Sequence, residues 1–143
     1  ETFSELVYCE RKSSRDAFNI HRIDYSAILA AEKPPVVLSD FKQFIGVNPL
    51  VVCNSTFFHN FLDAAFEQNL GVSFNNGLTC LTSLAANLQA ANSIKIVERD
   101  LKNGIGLAEI CNHYNIPHSN SNAVVKLNAI KAAYEILSGY EIE

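Results

Sequence analysis

Residues 50–53, Leu50-Val51-Val52-Cys53, form an uninterrupted apolar run, and Asn54 separates them from a segment with helical periodicity. A strand without polar alternation is one covered on both faces, as happens when helices flank a sheet. From Thr56 the apolar residues Phe57, Phe58, Phe61, Leu62, Ala65 and Phe66 recur at helical spacing, and Gly71 supplies a stop. A buried strand followed directly by an amphipathic helix predicts an α/β class.

The remaining elements are read in the same way. Residues 3–8 form a short β-rich run. Ser39 is placed as the N-cap of a helix over residues 40–45, which Gly46 ends. Asn75-Asn76-Gly77 signals a turn. Helices are predicted over residues 81–91, 107–114 and 122–137. Gly104-Ile105-Gly106 opens the second of these and lacks the rest of a dinucleotide-binding fingerprint. The last carries Val124, Leu127, Ile130, Ala133, Tyr134 and Leu137 on one side, before Gly139. There is no internal repeat, and residues 1–143 are read as one domain.

At 143 residues and 48% hydrophobic content the chain is long enough to bury a core. No apolar run approaches the ~20 residues that span a bilayer, and no charged-then-apolar leader opens the sequence. Cys9, Cys53, Cys80 and Cys111 are widely spaced with no Cys-x-x-Cys pair, so neither a zinc knuckle nor a disulfide framework is indicated. Cys53 and Cys111 read as small core residues. A reducing, cytoplasmic compartment is the expectation. The net charge of −4 leaves little to spend on phosphates, so nucleic-acid affinity is expected to be weak. Arg11, Lys12 and Arg15 read as a solvated loop. Lys95, Arg99 and Lys102 surround Glu98 and Asp100, the pattern of an ion-paired surface.

Six segments, in order along nearly the whole chain, resemble the DnaQ-like (DEDD) 3′-to-5′ exonuclease family. Residues 1–7 resemble its third strand, and Phe18-Asn19-Ile20-His21-Arg22-Ile23 sits where a His-Gly-Ile type loop follows. Ala30 to Leu38 leads into the helix at residues 40–45 as the corresponding family segment does. The run from Leu50 to Leu62 resembles the second motif: a buried strand, an Asn, a Phe, then an Asp opening a helix. The run from Gly106 to Ile116, Gly106-Leu107-Ala108-Glu109-Ile110-Cys111-Asn112-His113-Tyr114-Asn115-Ile116, resembles the family's next helix. Ser121-Asn122-Ala123-Val124-Val125-Lys126-Leu127-Asn128-Ala129 stands in the place of the third motif, His-x-Ala-x-x-Asp-Ala. The resemblance implies a ribonuclease-H-like mixed sheet flanked by helices, with the strand at residues 50–53 internal.

The resemblance also implies that the chemistry has been lost. Family members hold two divalent ions with hard oxygen ligands. Here the second-motif Asp is Phe58, the third-motif His is Ser121 and its Asp is Lys126. His118 lies three residues before the expected histidine, and the family spacing would pair it with Ala123, so it reads as a solvated loop residue. No cofactor is expected. Phe58 would fill the ligand cavity with apolar surface worth ~2 to 3 kcal/mol when fully buried. If the family's opening strand still carries acids, Lys126 would replace the metal charge in a buried ion pair; otherwise it would reach solvent or a partner.

The family's first motif, Asp-x-Glu on a central strand, has no counterpart in residues 1–143. That, with the absence of any Met, leads to the expectation that the opening strands lie outside this sequence. A partner or a second copy is then expected to cover the open edge. The leading reading is an inactive exonuclease-type domain serving as a binding or structural module. The alternatives are an active Mg- or Mn-dependent exonuclease using acids such as Asp63, Asp40 or Asp100 with others from elsewhere, and an unrelated α/β domain.

Overall fold

A computed structural model of the protein describes residues 1–96 and 105–140. In chain order these form α1 (Arg15–His21), α2 (Tyr25–Ala30), α3 (Pro34–Ile45), β1 (Leu50–Val52), α4 (Ser55–Leu70), β2 (Leu78–Cys80), α5 (Leu81–Ala90), α6 (Leu107–His113) and α7 (Ala123–Leu137). Helices and a small parallel sheet thus share one chain. β1 pairs with β2, Leu50 opposite Leu78 and Val52 opposite Cys80, and α4 makes the crossover between them.

Local chemistry sets these boundaries. The Asn54 side chain accepts a hydrogen bond from the Phe57 amide at 3.1 Å, capping α4. Gly71, at φ 66°, ends the helix in the left-handed region, which costs glycine nothing. The return to β2 is fixed by the Phe74 amide donating to Asp63 Oδ1 at 2.9 Å and by the Phe74 ring meeting Phe66 edge-on at 5.4 Å. Asn76 then fixes the register: its side-chain amide donates to Gly46 O at 3.0 Å and to Asn48 O at 2.8 Å, tying the entry of β2 to that of β1. At α6 the Gly106 amide donates to Glu109 Oε2 at 3.1 Å, and a Cβ at position 106 would stand 2.7 Å from that oxygen. Asn122 caps α7 by accepting from the Val124 and Val125 amides, both at 3.1 Å.

Two apolar clusters cover the strand pair. Ile45, Phe66 and Phe74 are buried with Leu38, Phe41, Leu50, Leu62, Leu70 and Leu78 packed against them. Leu81, Ala85, Leu88, Ile110, Ala133 and Leu137 form a second cluster from α5, α6 and α7, with Cys53 against it. Neighbouring residues along a strand face opposite sides, so Leu50 on one cluster and Cys53 on the other put helices on both faces.

The described sheet is a parallel pair, smaller than the mixed sheet expected from the resemblance, and β1 has a single ladder partner among the described residues. Residues 3–8 are not a strand: Val7 makes one isolated parallel bridge to Glu32, and Phe3 packs its ring against Phe41 and Phe44 instead. The helix expected over residues 40–45 begins earlier, at Pro34, because proline suits the first helical turn, where no amide partner is needed. Ser39 is therefore an exposed mid-helix residue and not an N-cap. The loop expected at residues 18–23 is largely α1, capped by Ser14 Oγ accepting from the Ala17 amide at 3.2 Å. Arg15 belongs to that helix. The helices predicted over residues 56–70, 81–91, 107–114 and 122–137 match α4 to α7 within a residue or so at their ends. Arg99, Lys102, Glu98, Asp100 and Gly104 lie outside the described residues.

Candidate functional site

β1 and β2 run in parallel, so both strands deliver their carboxyl ends to the same end of the sheet, where α4 and α5 begin. In open parallel sheets this end is where ligand sites form. Asn54 lies here and is exposed, its side-chain oxygen committed to capping α4.

Phe58 is half-buried on the first turn of α4. Its ring meets Phe57 edge-on at 5.5 Å, and Phe57 stacks on Phe61 at 6.1 Å with 16° between planes. Phe57 and Phe61 are 60% and 61% exposed. Phe58 is thus partly covered, short of full burial, beside rings that stand mostly in solvent.

Lys126 sits at the end of the first turn of α7 and is exposed. It reaches the end of β1 electrostatically: burial pushes the Cys53 thiol up, and the Lys126 ammonium partly offsets this. Two segments far apart in sequence therefore converge at the end of β1. The ion pair found among the described residues is Lys131 with Glu135 at 3.5 Å, on the surface. Ser121 is exposed, its hydroxyl 3.1 Å from that of Ser119. His118 is exposed as well, with Nδ1 3.4 Å from Ile116 O. Both belong to the loop before α7. Of the acids considered, Asp63 is occupied by the Phe74 amide, Asp40 is exposed on α3, and Asp100 lies outside the described residues.

Cys80 is the residue that sequence reasoning passed over. It is the last residue of β2 and the N-cap of α5. Burial works to raise its pKa. Hydrogen bonds from Ser83, Thr82 and the Ser55 backbone outweigh that and bring the thiol down to about 6. The amides of Ser55 and Ser83 belong to the first turns of α4 and α5, whose exposed N–H groups favour an anion. As a thiol, Cys80 donates to Cys53 O at 3.3 Å, an oxygen that also accepts from the Thr82 hydroxyl at 2.8 Å. Thr82 has one proton. When the sulfur ionises, Thr82 can turn that proton toward Sγ, 3.3 Å away. The signal available in the sequence was a Cys at the start of a predicted helix with Thr82 and Ser83 in its first turn.

Cys111 is fully buried, and burial followed by the neighbouring Cys53 raises its pKa. All four cysteines are free thiols. Among the described residues no three His, Cys, Asp or Glu side chains gather in a way that could hold a metal ion, and no helix is long and apolar enough to cross a membrane. Comparison with family models finds no match to this chain, and comparison with curated proteins finds none either.

Proposed function

We propose that the chain is a catalytically degenerate DnaQ-like 3′-to-5′ exonuclease-type domain, acting as a binding or structural module of a nucleic-acid-processing protein. The observation that carries this is the meeting of two separate segments. The α7 turn bearing Lys126 reaches the carboxyl end of β1, from which the Asn54 and Phe58 run starts, close enough for the Lys126 charge to act on Cys53. An exonuclease of this family needs its second- and third-motif ligands at one such place. At the positions aligned with those ligands, Phe58 has no donor atom and Lys126 brings a positive charge that opposes a divalent cation. Ser121 offers a neutral hydroxyl where a general-base imidazole would be needed. With a net charge of −4, contacts to a protein partner account for binding better than contacts to phosphates do.

Restoring the acids tests the reading. The triple substitution Phe58→Asp, Ser121→His, Lys126→Asp is expected to bind Mn²⁺ at least about tenfold more tightly than the unmodified chain in titration calorimetry. Equal binding by both proteins, with circular dichroism showing both folded, would mean that these positions do not form one site.

A further inference from the structure

A cavity of about 540 Å³ lies between α1 and α2, away from the strand ends. This is the size range of small-molecule pockets. Its interior is formed by Phe18, Ile23, Tyr25 and Ile28, all half-buried, so the floor is apolar with two aromatic walls. Lys12 and Arg15 stand on the rim, exposed, and neither side chain makes an ion pair or hydrogen bond with the described residues. Asp24, also on the rim, is the N-cap of α2 but makes no side-chain capping bond.

The walls are held in place by hydrogen bonds that leave the cavity itself free. The Ile23 amide donates to His21 Nδ1 at 2.9 Å, so the ring proton of the neutral imidazole is on Nε2, which donates to Ser13 Oγ at 3.1 Å. The Tyr25 hydroxyl donates to Glu10 O, which ties this lining residue to the segment before α1. The segment before α1 is thus tied to the end of α1 and to the start of α2. A pocket formed in advance spares a ligand the cost of ordering it.

We propose that this cavity binds a small amphipathic anion: an aromatic or branched apolar body carrying one carboxylate or phosphate group. The apolar floor takes the body, and the two uncommitted cations take the anionic group in charge-assisted hydrogen bonds. Asp24 disfavours ligands with a second anionic group, since that group would meet a carboxylate with no counterion of its own. The site is independent of the exonuclease-type reading, because none of its residues aligns with a family ligand position.

The test uses three probes of one shape on the full 143-residue chain, followed by NMR chemical-shift titration: 3-phenylpropionate, phenethyl phosphate and phenethylamine. At least one anion is expected to saturate with a Kd on the order of 1 mM or below, and the amine to bind at least about tenfold more weakly. The tighter of the two anions identifies the carboxylate or the phosphate as the group recognised. Arg15→Glu and Lys12→Glu, both at exposed positions, are each expected to weaken the anion by about tenfold or more, and Ile28→Trp to fill the cavity and abolish saturation. The proposal is overturned if the amine binds as tightly as the anions, if neither anion saturates by ~20 mM, or if both charge-reversed proteins, still folded by circular dichroism, keep the original affinity.

Discussion

Cys80 stands where β2 ends and α5 begins, with amides from two helix starts directed at its sulfur. Its pKa falls from 9.0 in a free chain to about 6 in the folded protein. The folded state therefore releases this proton more readily than the unfolded state, and the linked stability has a definite sign. It is fully present above about pH 9 and is lost as the pH falls through about 6. We expect iodoacetamide to modify Cys80 with a rate profile whose midpoint lies near pH 6, while Cys53 and Cys111, both raised by burial, stay slow through neutral pH. Peptide mapping by mass spectrometry at a series of pH values reads this directly, and a Cys80 midpoint near 9 would contradict the hydrogen-bonding account. At this scale the sequence was legible only where a residue belonged to a recognisable pattern. Asn54 was noticed as part of a motif, whereas its capping bond needed the structure. Cys80 is only counted among the cysteines in the sequence: the Ser83 and Thr82 side chains that lower its pKa are local, but the Ser55 backbone that adds to them meets it only after β1 and β2 pair.

The long helices could be read from the sequence because their buried faces recur many times: α4, α5 and α7 each repeat the apolar period over several turns. Of the short elements, β1 and α6 were legible from an unbroken apolar run and a glycine-opened apolar segment, whereas β2, α1 and α2 were not. β2 holds Leu78-Thr79-Cys80, too few residues to establish a period, and its pairing depends on Asn76 bonding to residues on the far side of α4. α1 and α2, at seven and six residues, are too short to repeat an apolar period. The start of α3 is misplaced by the sequence because Ser39 has the chemistry of a cap, while Pro34 and Pro35 suit both a lead-in and a first helical turn. Two substitutions separate these roles. Asn54→Ala removes a bonded cap and is expected to cost about 1 kcal/mol. Ser39→Ala, within an exposed stretch of α3, is expected to stabilise the protein by about 0.5 kcal/mol through helix propensity. Denaturant unfolding of the two proteins checks both signs, and a loss of stability for Ser39→Ala would return the helix start to that residue.

For the molecule as a whole, surface area is the informative quantity. The chain exposes 9849 Å², whereas a compact monomer of 15.8 kDa exposes roughly 7,300 Å². The difference exceeds the ~1,600 Å² that a standard interface buries in total. Phe57 and Phe61 on α4 and Leu127 on α7 are among the large apolar residues left in solvent. β1 and β2 also each carry a ladder edge with no partner among the described residues, and open edges invite pairing. On that basis the chain is expected to self-associate, with a light-scattering mass that rises with concentration; a constant monomer mass would show that the surface is stable as it stands. The order of elements was readable in the sequence because each carries its own pattern, while the size of the sheet was not, since it depends on which edges find partners. The central claim, that the exonuclease-type chemistry has been lost, is tested most directly by incubating the purified chain with a labelled single-stranded oligonucleotide in millimolar Mg²⁺ or Mn²⁺. The account predicts that the oligonucleotide stays intact. Metal-dependent shortening from the 3′ end, abolished by chelator and following the chain through purification, would contradict it.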